Sequence, residues 1–284
     1  MNRTSVLAVL ILLAPAGLGA QVTDSMPMMG AAGGPAAMRP PAESLKTAEQ
    51  VKAYIAAVPE GTVPNLSGLD LHGLDLRHVN FKKANLTGAD LTGAQLDSAT
   101  LFSADLTDAR AEGASLVGTN LDVSTLRRAD LQHAKLQGAS LFATIIEEAK
   151  LQGADLRDTR IIGYLRKANL AGATLAGANI GADPSNQSMG VMRAQFNNAD
   201  LTGANLAGAN LYKADFSFAS LVGADLSGAN LRNADLIGTD FTKANLTNAD
   251  VHDADINGAT FTDARGLDTI KGLDETRHRN QAKF

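Results

Sequence analysis

Apolar and polar positions along this chain follow a five-residue beat from about Pro64 to Asp263: a small residue, Asp or Asn, Leu, then two looser positions. A regular stretch reads Ala199-Asp200-Leu201-Thr202-Gly203, Ala204-Asn205-Leu206-Ala207-Gly208, Ala209-Asn210-Leu211-Tyr212-Lys213. On an extended backbone the small residue and the Leu two places later point the same way, and the Asp or Asn between them points outward. The two positions after Leu carry Gly, Lys, Asn, Asp or Ser, which tolerate turn conformations, so each unit predicts a short extended side followed by a corner. Repeated corners close the chain into a coil. Stacked coils pair their backbones about 4.8 Å apart and withdraw a Leu column from water at roughly 1.5–3 kcal/mol per side chain. One coil alone would not survive about 1–2 kcal/mol of backbone entropy per residue.

The beat resembles the pentapeptide-repeat family, whose motif is a small residue, Asp or Asn, Leu or Phe and two variable positions. The resemblance implies an all-β solenoid, a right-handed quadrilateral parallel β-helix with four pentapeptides per coil. Periodicity alone leaves three sides and four sides open. Two sequence features favour four. Phe196 and Phe216, and Phe241 and Phe261, lie 20 residues apart and would stack. Asp90, Arg110, Asp130 and Lys150 share that spacing and would form an outward ladder of alternating charge. Some relatives resemble duplex DNA and bind DNA gyrase, protecting it from quinolones or inhibiting it, so the resemblance carries a gyrase or topoisomerase alternative as well.

Before the beat, Thr47 and Gln50 form a capping-box pattern, and Leu45, Ala48, Val51, Tyr54, Ile55 and Val58 recur at helical spacing until Pro59. The spacing predicts a short amphipathic helix as the lid on the first coil. After Phe261 the beat fades into a polar, basic end, read as a partly helical cap that could also hold a homodimer together. The resulting organisation is a signal peptide over 1–20, a Pro/Gly/Ala/Met-rich linker over 21–43, a capping helix over 44–63, repeats over 64–180, an interrupting loop over 181–195, repeats over 196–263 and a C-terminal cap over 264–284.

The amino terminus supplies an address. Arg3 precedes the apolar run Val6–Leu13, and Ala16, Gly17, Gly19 and Ala20 follow, the layout of a secretory signal cleaved near Ala20. The run is shorter than the roughly 20 residues a spanning helix needs, so the expected location is periplasmic or secreted, with no stable membrane span after cleavage. Export would also separate the protein from gyrase.

Composition excludes more than it assigns. The absence of Cys removes disulfides and thiol chemistry. A formal charge of -5 is too mild for a nucleic-acid footprint, so no nucleic-acid partner is expected. Charge is uneven: residues 171–264 hold ten Asp against Arg193, Lys213, Arg232 and Lys243. There is no phosphate loop, nucleophile elbow or metal-ligand spacing among the five His. The expectation is a non-enzymatic scaffold with no catalytic residues, no metal site and no cofactor, which binds a protein partner or itself.

Function in a regular scaffold is sought where regularity breaks. Ala111 fills a Leu slot, Ile161 and Leu165 are four apart instead of five, and Asp183-Pro184-Ser185-Asn186 interrupts the beat. Near the slip, Phe102, Phe142 and Ile162 fall on one corner column, with Ile145 and Tyr164 on the adjoining face. Together they predict an exposed apolar patch, whose functional reading is a partner surface and whose plain reading is a patch covered by the linker, helix or loop. Pro184, Met189, Met192 and Arg193 are the candidate recognition residues of the interrupting loop. Asp215, Asp235 and Asp255 would stack without an intervening cation and could hold Ca²⁺, unless they bond nearby turn backbone instead. Met26, Met28, Met29 and Met38 could present thioethers to Cu(I), although four Met in a linker need no ligand.

Overall fold

The computed structural model describes residue 40 and residues 45–81, 83–182 and 192–284. The signal segment, the Met-rich linker, Pro184 and Met189 lie outside the described residues. From Asn65 onward the outward Asp/Asn position of each unit bridges its counterpart 20 residues later, in parallel: Asn65 to Asn85, Asp70 to Asp90, Asp75 to Gln95 and Asn80 to Thr100 begin four separate columns. Four pentapeptides therefore make one turn of the stack. These columns define faces A, B, C and D in that order. The predicted contacts at this spacing form: Phe196 and Phe216 stack at 4.7 Å, Phe241 and Phe261 at 5.0 Å, and Arg110 and Lys150 pair with Asp90 and Asp130 at 3.4 and 3.1 Å.

Three hydrogen bonds recur and explain why the five-residue unit works. The N–H of each core Leu donates to the Asp/Asn carbonyl of the next coil, as Leu91 does to Arg110 at 2.6 Å. The Asp/Asn N–H donates back to the small residue of the previous coil, as Arg110 does to Ala89 at 2.9 Å. The Leu carbonyl accepts from the N–H three residues on, closing a β-turn, as with Ala94 and Leu91 at 2.9 Å. The third turn residue takes positive φ, as a type II turn requires, at every corner from Gly68 to Asp263 among the described residues except Gly163 and Ala182. Those two exceptions are the slip and the loop entry singled out in the sequence.

Asp and Asn do more than face solvent. The side-chain oxygen of Asp200 accepts from the N–H of Thr202 at 3.0 Å, Asp225 from Ser227 at 2.9 Å and Asp240 from Thr242 at 2.9 Å, each fixing the turn that follows. Where Ser replaces that residue, the neighbouring coil takes over. Asp97 accepts from both the Ser115 hydroxyl and the Val117 N–H, the latter at 3.0 Å; Asp122 accepts from Ser140 at 2.5 Å and from the Phe142 N–H at 2.9 Å. Thr in the small-residue slot is tolerated for a related reason. Thr119, Thr144 and Thr239 are wholly buried, and their hydroxyls each donate to a core carbonyl of the coil before at 2.9 Å.

The slip forms the two longest strands, β1 (Ser140–Ile145) and β2 (Arg160–Tyr164), paired in parallel with a bulge between Phe142 and Thr144. Here Gly163 serves as both corner and small residue. A Cβ on Gly163 would lie 2.3 Å from the Thr144 carbonyl oxygen, so only glycine permits the shortened side. At the interruption, Tyr164 bridges Gln195 and Asn179 bridges Asn210, spans of 31 residues instead of 20, and the register then returns. The insertion enters at the corner between faces D and A.

The two ends close differently. The helix α1 (Ala48–Ala57) has the expected capping box, with Gln50 N–H donating to Thr47 Oγ1 at 3.3 Å and Thr47 N–H to Gln50 Oε1 at 3.0 Å. It buries Val51 and Ile55 against the core that starts at Leu66. Beyond Phe261 the beat does not fade; it lengthens. Arg265, Lys271, Arg277 and Lys283, six residues apart, place one more rung on each face, with 3₁₀ turns at Leu273–Glu275 and Arg279–Gln281. Gly266, Gly272 and His278 take the positive-φ corners of this coil, and Phe284 stacks on Phe261 at 5.1 Å.

Candidate interaction surface

The corner between faces D and A carries the expected apolar column, with one change of membership. Phe142 pairs with Ile162, and Ile145 with Tyr164, so the columns are those read from the sequence. Phe102 and Tyr164 are exposed by 41% and 37%, and Phe142 and Ile145 are half-buried. Ile162 is wholly buried and leaves the patch. The shortened side at Gly163 gives this corner one residue where others have two, and Ile161, Ile162 and Gly163 are all buried as a result. Val123, which the sequence reading passed over, joins instead: it stands at the next position of the same corner, 46% exposed, at φ 62. A β-branched residue at positive φ is strained, and the five-residue register alone would have located it as a turn position.

Cations lie over two of these rings. The Arg160 guanidinium carbon is 5.7 Å from the Phe142 ring centre and that of Arg166 is 5.6 Å from Tyr164, close enough for cation–π attraction. Arg166 also pairs with Glu147, which accepts from Arg127 at 3.1 Å. These three stand on the next corner, between faces A and B, where Arg128 also binds Asp108 in two-pronged fashion at 2.7 and 2.6 Å. The surface therefore presents aromatic rings bordered by guanidinium groups, several of which local carboxylates already orient.

Face A of the later coils departs from the expectation of an uncompensated carboxylate row. Asp215, Asp235 and Asp255 do stack through parallel bridges, yet Arg193 spans the first two, reaching Asp215 at 3.1 Å and also pairing with Asp235. From the terminal coil, Arg277 reaches Asp235 at 3.3 Å and Asp255 at 3.7 Å, and His278 Nδ1 lies 2.8 Å from Asp255. The column runs at both ends into cations supplied by the loop exit and the cap, which local spacing of the repeats could not reveal. Arg193 thus faces the column as a clamp, and Met192 beside it is half-buried. Burial raises the Asp215 pKa, but hydrogen bonds from Asn197 and Ser217 and the Arg193 charge hold it below the ordinary aspartate value. Asp255 is likewise raised by burial and lowered further by His278, the Asn257 N–H and Arg277. No group of three or more carboxylate or imidazole side chains among the described residues is arranged to hold a metal ion, and no described helix is long and apolar enough to cross a membrane.

Comparison with known proteins agrees with this repeat geometry. The pentapeptide repeats family matches in eight copies over residues 65–101, 104–141, 192–228 and 224–263, just over half of the chain. No curated protein matches significantly. Among solved structures, HetL from the cyanobacterium Nostoc sp. strain PCC 7120, a pentapeptide repeat protein involved in heterocyst differentiation regulation, is 26% identical over 84% of this chain and 99% of its own, with a TM-score of 0.41. QnrB1, a plasmid-mediated fluoroquinolone resistance protein, is 18% identical over 75% of this chain and 93% of its own, with a TM-score of 0.44. Rfr23 from the cyanobacterium Cyanothece 51142 is 28% identical over 42% of this chain and 86% of its own, with a TM-score of 0.29. The beat, its turn chemistry and the family match converge: this chain belongs to the pentapeptide-repeat family.

Proposed function

We propose that this protein is an exported, non-enzymatic scaffold, a right-handed four-sided β-helix that uses the corner between faces D and A to bind a protein partner or a second copy of itself. The observation that carries the reading is the exposure of Phe102, Val123 and Tyr164 along this corner and the face beside it, with Arg160 and Arg166 over the Phe142 and Tyr164 rings. Aromatic and Arg side chains dominate the energetics of protein interfaces, whereas a solvated repeat corner needs only Gly, Asn or a charge. Val123 adds weight, because a strained apolar residue sits where an unstrained polar one would fold as well. The core beneath is filled by Leu, Ala and Phe and offers no room for a substrate. Periplasmic or secreted location rests on the amino-terminal signal. The alternative of a duplex-DNA mimic binding gyrase asks for rows of uncompensated carboxylates. Arg193 and Arg277 neutralise the longest such row, and the surface-cation alternative weakens for the same reason.

The test combines Phe102→Ser with Val123→Asn, neither of which removes a buried contact. Sedimentation velocity of the purified chain, and crosslinking from position 142 in cells, should both lose signal in the double variant. Unchanged association in both assays would refute the corner as the binding surface. An intact-mass reading of an envelope fraction, starting near Gln21, checks export independently.

A further inference from the structure

We infer that Asn257 is a site of spontaneous deamidation, a chemical ageing mark at the carboxy-terminal end of the stack. The chain contains many Asn, and most stand in the outward position directly before a core Leu, Ile or Phe. There the side-chain oxygen of residues such as Asn205 is held by the turn N–H two residues on, at 3.0 Å, and the bulky next residue screens its own backbone nitrogen. Asn257 differs on every count. It is followed by Gly258, the one Asn-Gly pair in the sequence, and it occupies a corner, half-buried, with Gly258 exposed.

Its place in the stack matters as much as its neighbour. In stacked coils the N–H of the third turn residue is occupied by the carbonyl of the coil beyond: on this corner Phe218 donates to Ile237 at 2.8 Å, and Gly238, one coil later, donates to Asn257 at 2.7 Å. Over Gly258 the five-residue corner is replaced by the six-residue terminal coil. No backbone carbonyl among the described residues accepts the Gly258 N–H. A Cβ at Gly258 would meet nothing within 4 Å, so the space beside its Cα is open. Reaction requires the turn to swing out by breaking the Asn257 carbonyl bond to Gly238, a local opening of the kind chain ends permit.

The chemistry needs only water. The Gly258 backbone nitrogen attacks the Asn257 side-chain carbonyl carbon and loses its proton to solvent base. The C–N bond to the side-chain nitrogen breaks, and that nitrogen leaves as ammonia after taking a proton from water. The cyclic imide then adds one water at either carbonyl, giving aspartate or isoaspartate. The sum is Asn plus water to Asp or isoAsp plus ammonia, with no change of oxidation state. The product adds a negative charge close to Asp255, and isoaspartate inserts a backbone carbon into a turn whose N–H anchors on Asp255 at 3.1 Å. The inserted carbon shifts Asp255 and weakens the seating of Arg277 and His278, so the terminal coil loosens with age.

The test incubates the full chain at mildly alkaline pH and follows peptides by mass spectrometry, with isoaspartate read by enzymatic methyl transfer. The amide-to-acid mass gain should accumulate first in the peptide holding Asn257, rise in rate with pH, and vanish in Asn257→Gln. Cleavage after Arg265 under limited trypsin should increase in parallel with isoaspartate, and Asn257→Asp, which adds the charge without the extra backbone carbon, should leave it unchanged. The inference is overturned if Asn257 keeps its amide while other Asn convert, or if conversion at 257 occurs only in urea and never in the folded chain.

Discussion

The coils after Phe196 and the coils around β1 and β2 solve the same stacking problem with different tolerance. In the later coils every corner from Asn198 to Asp263 takes the positive-φ turn, aromatic rings stack in register, and Asn210 and Asn230 form a ladder with Asn179 at 3.0 and 3.1 Å. Around the slip a residue is missing, the bulge at Ala143 is held at φ 54, and one glycine takes two roles. The regular part distributes its stability over many equivalent contacts, whereas the irregular part concentrates it in a few that have no substitute. Phe102, Val123 and Tyr164 are exposed beside the irregular part, around the same corner through which the insertion later enters, whereas the regular part exposes Phe218, also at positive φ, on the next corner.

Five substitutions, one of them with a rescue, and one titration can break or sharpen this contrast. Phe216→Ala in the regular stack should cost about 3–5 kcal/mol, the usual penalty for emptying a buried aromatic site, read from urea unfolding of the full chain. Gly163→Ala should cost about 1–3 kcal/mol through steric overlap with Thr144. Gly223→Ala, in a regular corner, should cost about 1–2 kcal/mol from its left-handed backbone alone, because a Cβ there meets nothing within 4 Å; a loss at Gly163 no larger than that would remove the distinction. Asp122→Ala takes away the acceptor of Ser140 and Phe142 and should cost about 1 kcal/mol. Adding Ser140→Asn should restore it by reinstating the local acceptor. Val123→Asn should raise stability by up to about 1 kcal/mol as backbone strain is relieved, while weakening association.

The titration concerns the terminal coil. Asp250 and Asp255 are raised by burial but lowered overall by their partners, His252 and Arg232 for the first, His278, Asn257 and Arg277 for the second. A folded pKa below the unfolded value means stability present above the unfolded aspartate value of about 3.9 and lost as pH falls through the folded value. Loosening of the terminal coil, read by hydrogen exchange, should therefore set in only as pH falls through that window. Loosening that begins near neutral pH would point away from these carboxylates.

Much of the architecture could be read from residues alone. The 20-residue coil followed from Phe196 with Phe216 and from the Asp90 to Lys150 ladder, because a filled core and a charge ladder both require equivalent positions to stack. The lid helix followed from Thr47 and Gln50, and the turn role of Asp and Asn from their short side chains. Of the candidate surface, the column of Phe102 and Phe142 and the pairing of Ile145 with Tyr164 were legible for the same reason. Burial of Ile162 was not, since it depends on how a shortened side closes. Nor was the six-residue terminal coil, although Arg265-Gly266-Leu267-Asp268 and Lys271-Gly272-Leu273-Asp274 carry its signature.

By itself, then, the sequence determined everything that repeats, because a contact made many times at one spacing is encoded in the period. Only the tertiary structure decided what departs from that period: Arg193 and Arg277 meeting the Asp215–Asp255 column, Asp122 serving Ser140, and Gly163 admitting the Thr144 carbonyl. Those contacts join residues whose separations of 18, 19, 22 and 42 positions fall off the beat. Side-chain reach and coil stacking bring them together, and no local pattern records either.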